Sequence, residues 1–257
     1  MRTGYVAFLD VLGFSALISG DQGARVQKYL DCLKQVFDGE PESPVDYVVF
    51  SDSIILTTRD DEIPTLQALL ARCSTLLWVM LANDIALRGA IAHGSYITEK
   101  TSRGTFVAGR AIIEAYHFEG AQDWIGIMLA PSVIQAVPDL KVRCLYQDPY
   151  DLERWQALTE RLPWAAFVQP CLEIPFRDAG KSVTRYHGFA IVPTSGNTDP
   201  AALRDSLAST LDRLVWLKSL APNPQVQAKY DRTHSWVLSN RGNWHMAAFR
   251  REQNSSW

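Results

Sequence analysis

Gly4-Tyr-Val-Ala-Phe-Leu-Asp-Val-Leu-Gly-Phe-Ser15 and Tyr47-Val-Val-Phe-Ser-Asp-Ser-Ile-Ile-Leu56 decide how this chain is read. Each is an apolar, strand-like run ended or interrupted by one aspartate, Asp10 or Asp52. A carboxylate half-buried at such a place is costly unless positive charge lies against it.

The segments around them set the topology. Residues 4–10 read as a strand rich in β-formers and aromatics. Helical segments follow over about 12–19 and 22–38, the second with Val26, Tyr29, Leu30, Leu33, Val36 and Phe37 at helical spacing. Strands over 45–50 and 53–58 hinge at Ser51-Asp52, a long helix covers 62–82, and Leu87–His93 forms a fourth strand. The pattern β-α-β-β-α-β is an α+β, ferredoxin-like core. Right-handed crossovers give the spatial strand order 4-1-3-2. The first strand then lies between the third and fourth, so Asp10, Asp52 and Arg88 converge at one end of the sheet.

Two carboxylates and a guanidinium so placed suit phosphoryl transfer. Paired carboxylates hold divalent cations, which activate a hydroxyl and neutralise a triphosphate. The turn Val11-Leu12-Gly13-Phe14-Ser15 opens a helix, so its backbone N–H groups and dipole can cradle phosphate, and Gly13 permits close approach. Arg88 can offer a planar fork to a phosphate. The plainer alternative is a hairpin Asp, a helix-cap Asp and an arginine pairing with both.

The same residues carry a resemblance. Phe8-Leu-Asp-Val-Leu-Gly-Phe-Ser15 resembles the first-strand motif of class III nucleotide cyclases, and Phe50-Ser-Asp-Ser53 falls at their hairpin aspartate. Leu87-Arg-Gly-Ala-Ile-Ala-His-Gly94 is similar to their Arg-x-Gly strand, and Val107–Glu119 to their later helix. Within that superfamily the chain resembles most the Pycsar pyrimidine cyclases of bacterial anti-phage defence. Tyr186–Pro193 and Val226–Tyr230 are similar to that group as well.

The resemblance implies a cyclase core with extra strands and a C-terminal helical hairpin. It implies two Mn²⁺ or Mg²⁺ ions held by Asp10, Asp52 and the backbone carbonyl of Val11. It implies conversion of UTP, with CTP as runner-up, to a 3′,5′-cyclic monophosphate and pyrophosphate. It further implies a homodimer with sites shared between subunits, and a downstream effector reached through the product. The departures are informative. Val48 stands where purine cyclases carry a base-reading lysine, and Ile113 and His117 where they carry the ribose-orienting Asn and the transition-state Arg. Loss of the lysine fits a pyrimidine. Loss of the other two moves the transition-state role to another cation, with Arg88 best placed, or means weak or absent turnover. Phe50 and Tyr47 stand near the hairpin, where they either stack on a base or pack locally. A purine cyclase and an inactive nucleotide-binding regulatory protein are the competing readings.

Composition sets outer bounds. The 257 residues, 47% of them hydrophobic, are ample for a buried core. A net charge of −3 supplies no general field for a nucleic-acid duplex. Cys32, Cys73, Cys144 and Cys171 form no Cys-x-x-Cys pair and read as reduced thiols. No signal-peptide pattern opens the chain, and no unbroken apolar run reaches the roughly 18 residues of a membrane span, so a cytoplasmic protein is expected.

Further along, Gly94–Thr105 reads as a hairpin or lid, 109–119 as a helix, Trp124–Leu129 as a strand and Pro131–Val137 as a short helix. A strand over 141–147, a helix over 149–161 and an irregular Pro163–Gly180 follow, then a strand over Val183–Val192. Pro193–Pro200 is dense in turn residues and separates a catalytic region, 1–193, from a helical extension, 200–257. That extension reads as helices over 200–220 and 225–240, the first with Leu203, Leu207, Leu211, Leu214 and Leu217 on one face, and a fraying tail at Arg250–Ser256.

Overall fold

The computed structural model describes residues 1–15, 22–38, 42–140, 167–178, 182–194 and 200–254. The elements in order are β1 (Arg2–Val11), α1 (Gln22–Phe37), β2 (Val45–Phe50), β3 (Ser53–Thr58), α2 (Ile63–Ala82), β4 (Leu87–Thr101), β5 (Gly104–Gly109) and α3 (Arg110–Ala121). Then come β6 (Gly126–Leu129), α4 (Pro131–Ala136), β7 (Val168–Asp178), β8 (Ser182–Ile191), α5 (Pro200–Leu220) and α6 (Pro224–Asn254).

The fold is α+β with a βαββαβ core. The strands form one sheet in the order β2-β3-β1-β4-β6-β8-β7, with β5 paired to β4. Within it β2-β3-β1-β4 is the expected 4-1-3-2 order. β1 runs antiparallel to both neighbours, and Asp10 lies opposite Ser53 of β3 and Arg88 of β4.

Alternation along β1 divides the core. Tyr5, Ala7, Leu9 and Val11 face α1 and α2 in the main hydrophobic cluster, while Val6 and Phe8 belong to small clusters built with Ala111 and Ala115 of α3. Gly89 lets β1 and β4 close together, since a Cβ there would stand 2.9 Å from the Phe8 carbonyl oxygen.

Helix α2 is buried on more than one side: Leu66, Leu69, Leu70, Leu76 and Met80 are inaccessible, and the Ser74 hydroxyl bonds the Val192 carbonyl. By length and composition alone α2 could cross a membrane, but here it is a core helix covered by the sheet and by α5. Leu207, Leu211, Leu214 and Leu217 are buried on one face of α5, as their spacing requires. Helix α6 is fastened in its first third, where the Thr233 hydroxyl accepts the Ile125 amide at 3.0 Å and Arg232 binds the Asp123 carboxylate at 2.8 Å.

Of the two readings for 94–105, the structure has the hairpin: β4 continues to Thr101 and pairs antiparallel with β5. Two other expectations need correction. Residues 168–178, read as irregular for their prolines, are strand β7. It stands at the end of the sheet, where Pro170 and Pro175 do not interrupt a two-sided ladder, and its register shifts between Cys171 and Ile174. Helix α6 runs to Asn254, past its expected end at 240 and into the stretch expected to fray, Arg250–Ser256. Once a helix is nucleated, extending it through polar residues costs little. The elements read at 16–19, 141–147 and 149–161, and the linker residues 195–199, lie outside the described residues.

Candidate active site

At the ends of β1, β3 and β4 the sheet brings two aspartates together. Asp52 occupies the two-residue β2–β3 turn, and its carbonyl accepts the Val11 amide at 3.0 Å, which ties the hairpin tip to the residue after Asp10. Ser51, the other turn residue, has φ 58°, a left-handed conformation that favours glycine. The chain therefore bears a local backbone cost to set Asp52 there.

The electrostatics are those of a site short of positive charge. Burial pushes the Asp10 carboxyl above its ordinary range, and the Asp52 charge pushes further; Arg88 and Lys229 pull it back without cancelling the rise. Among the described residues neither carboxylate has a hydrogen bond or ion pair. The Tyr29 hydroxyl of α1 is buried without a partner, and its proton is held more tightly by burial and then by the charges of Asp52 and Asp10.

This donor set suits a divalent cation. No group of three or more His, Cys, Asp or Glu side chains gathers among the described residues. The protein thus offers two carboxylates and the carbonyl of Val11, leaving other positions to water and to ligand oxygens, as Mg²⁺ and similar ions favour. A metal-bound water would also give the Tyr29 hydroxyl a partner.

The adjoining turn offers a smaller cradle than expected. The Leu12 amide donates to the Ala86 carbonyl at 2.9 Å and is not available to phosphate. Gly13 has φ 75°, with nothing within 4 Å of where a Cβ would lie, so its approach is open. The amides of Gly13 and Phe14 have no acceptor among the described residues, and Phe14 anchors the turn edge-on against Tyr29 at 5.7 Å. Ser15 is the last described residue of the turn and is already engaged with a partner.

Arg88 sits otherwise than its free fork would require. Its Nε donates to Glu119 of α3 at 2.5 Å, and one terminal nitrogen donates to the Gln122 carbonyl at 3.0 Å. Both partners are buried, so Arg88 is held in place and lends charge to Asp10 from a fixed position. Gln122 is itself saturated, donating to the carbonyls of Gly89 and Phe118 and accepting from the Trp124 indole.

Sequence reasoning missed Glu119, Gln122, Lys229 and the part played by Tyr29. A signal existed for Glu119: an acid in the last turn of a helix opposes the dipole and calls for a cationic partner. Lys229 lies in the Val226–Tyr230 stretch that carries part of the resemblance, but no role followed from it; its charge reaches Asp10 from α6 in the distant C-terminal hairpin.

The aromatic pair divides. Phe50 is 80% exposed at the hairpin tip, on the same sheet face as Asp10. Tyr47 lies on the opposite face, stacked on Phe37 with ring centroids 4.3 Å apart, and the structure does not bring it to Asp10. Ile113 and His117 lie on the exposed side of α3.

No protein-family model matches the chain, and no curated protein matches it. Solved structures do resemble it. The catalytic core of a rhodopsin-guanylyl cyclase in complex with ATPαS is 10% identical, covering 75% of this chain and 96% of its own, with a TM-score of 0.49. The adenylyl cyclase CyaB from P. aeruginosa is 11% identical, covering 75% and 95%, with a TM-score of 0.48. Adenylate cyclases from Trypanosoma brucei are 10% identical, covering 77% and 91%, with a TM-score of 0.46. Likeness at this level concerns the course of the chain and assigns no residue a role.

Proposed function

We propose that this protein is a nucleotide cyclase that converts a pyrimidine nucleoside triphosphate, UTP before CTP, into its 3′,5′-cyclic monophosphate and pyrophosphate. The observation that carries the reading is the pair Asp10 and Asp52, without cationic contact of their own, beside the open Gly13–Phe14 turn. In the reaction the ribose 3′-oxygen forms a bond to the α-phosphorus, the α–β bridging P–O bond breaks, pyrophosphate leaves with that electron pair, and the hydroxyl proton passes to solvent. Asp10, Asp52 and the Val11 carbonyl would hold two divalent ions, which when bound would supply Lewis acidity.

The chain's own residues do the rest. The Gly13 and Phe14 amides bind phosphate oxygens, and Arg88, fixed by Glu119 and Gln122, offsets charge near Asp10. Phe50 is available to stack on a base. The pyrimidine assignment rests on Val48 at the purine-reading position and on the resemblance to Pycsar cyclases, which also supplies the anti-phage role, the cytoplasmic setting and an effector that answers to the product. The homodimer rests on the same resemblance, and the exposed Phe106, Ile113 and Tyr116 beside α3 give a second copy apolar surface to cover.

A nucleotide-binding module without turnover is the second reading, favoured by Ile113 and His117 and by the engagement of Arg88. Incubation with Mn²⁺ and each of the four ribonucleoside triphosphates, products resolved by mass, separates them. A cyclic monophosphate from UTP or CTP alone supports the first reading. Product from ATP or GTP replaces the pyrimidine assignment with a purine one. Bound nucleotide without product supports the second.

A further inference from the structure

A cleft of about 520 Å³ opens beside the Gly13 turn, within the range of small-molecule sites. One wall is Leu12 and Gly13 with Arg25 and Lys28 of α1; the other is the α5–α6 hairpin, which contributes Lys229. Three cations therefore face one space in a chain whose net charge is −3. The carboxylate lining that space is Asp84, and it has its own partner: Arg213 binds it at 2.9 Å while Lys28 stands at 3.8 Å. Lys28 can turn to a ligand and leave Asp84 paired.

Lys229 brings a third cation to the cleft from α6. Its amine is 3.9 Å from one oxygen of Asp123, whose other oxygen is bound at 2.8 Å by Arg232. Its charge is also felt at Asp10 and at Glu119, where it opposes the rise of both carboxyl pKa values. Lys229 thus lines the cleft and lies within electrostatic reach of Asp10. Leu12 and Gly13, which line the cleft, belong to the turn that follows Asp10 at the end of β1.

We propose that this cleft is a polyphosphate subsite, in which Arg25, Lys28 and Lys229 hold the β- and γ-phosphates of the nucleoside triphosphate substrate. The C-terminal hairpin is then part of the substrate site and not only a support for the core. This rests on the cyclase reading for the identity of the substrate, and on the cleft's own residues for its anion chemistry. Three ammonium or guanidinium groups converging on one space are suited to phosphate oxygens, with charge-assisted hydrogen bonds stronger than neutral ones.

The test is titration calorimetry with inorganic tripolyphosphate in metal-free buffer, where Asp10 and Asp52 hold no cation. The full chain is expected to bind it. Arg25→Gln and Lys229→Met should each weaken binding by about tenfold or more, and Lys229→Arg should restore most of the loss. Asp10→Asn with Asp52→Asn should bind as tightly or more tightly, because negative charge has been removed. Arg25 is on an exposed face of α1, so its variant carries the test if Lys229→Met fails to fold. Absence of binding by the unaltered chain, or unchanged binding in the cleft variants, overturns the subsite.

Its failure and that of the cyclase reading are distinguishable. Turnover with unchanged KM in Arg25→Gln and Lys28→Gln removes the subsite and leaves the cyclase. Tripolyphosphate binding that depends on these cations, in a chain that makes no cyclic product, removes the cyclase and leaves an anion site.

Discussion

Asp10→Asn should stabilise the metal-free protein and destroy its function. In the folded chain Asp10 is half-buried, near Asp52, with its carboxyl pKa raised by burial first and by that neighbour second. A group whose folded pKa lies above its unfolded value contributes stability below the unfolded value and loses it as pH rises through the folded one. Near neutrality the ionised Asp10 is therefore a local cost, and an amide of the same shape removes it. Gains from relieving such functional strain are commonly about 0.5–2 kcal/mol, and a domain of this size shifts its Tm by about 2–4 °C per kcal/mol.

Metal reverses the order. At Mn²⁺ a hundredfold above Kd, a site that binds only the folded state adds about 2.7 kcal/mol. The unaltered protein should then be the more stable of the two. Thermal unfolding at pH 7.5, in EDTA and again in excess Mn²⁺, reads both arms. An Asp10→Asn protein less stable than the parent in EDTA, or Mn²⁺ raising both Tm values equally, refutes the reasoning.

Other perturbations have expected outcomes of their own. Glu119→Gln leaves Arg88 buried without its counter-charge and should cost about 3–5 kcal/mol at most, less whatever hydrogen bond the amide keeps; a urea midpoint unchanged from the parent contradicts the assigned clamp. Gly89→Ala places a Cβ 2.9 Å from the Phe8 carbonyl and 3.2 Å from the Leu9 Cα, and should cost about 1–3 kcal/mol by the same assay while lowering activity through the displaced β1–β4 register. Tyr29→Phe removes a buried hydroxyl without a partner, so metal-free stability should hold or rise while Mn²⁺ affinity falls; an unchanged affinity denies the tyrosine a place beside the metal. Mn²⁺ affinity should climb with pH beyond the ordinary carboxylate range, because the metal must displace the proton that a raised Asp10 pKa retains. A flat affinity from pH 4 to pH 7 is the opposite result.

The parts of this site that were legible in the sequence are those fixed by short-range order. The Ser51-Asp52 turn joins two strands directly, so register across β2 and β3 follows from alternation, and the right-handed crossovers then place β1 beside β3 and β4. That was enough to bring Asp10, Asp52 and Arg88 to one end of the sheet. It did not say where the Arg88 fork would point, since Glu119 and Gln122 reach it from a helix packed on the sheet face. Lys229 depends on how a hairpin far along the chain docks, which no local pattern encodes. Strand β7 was hidden by Pro170 and Pro175, because the cost of a proline in a strand depends on whether that strand has a neighbour on each side, a property of the finished sheet.

The central claim is that Asp10 and Asp52 hold two divalent ions for a nucleoside triphosphate. Electron paramagnetic resonance of Mn²⁺ titrated into the protein with 3′-deoxy-UTP, which has no attacking hydroxyl, tests it directly. The account predicts two bound Mn²⁺ ions per chain with coupled spectra, and loss of that coupled pair in Asp52→Asn. Mn²⁺ binding that is absent, or that survives unchanged in both Asp10→Asn and Asp52→Asn, contradicts it.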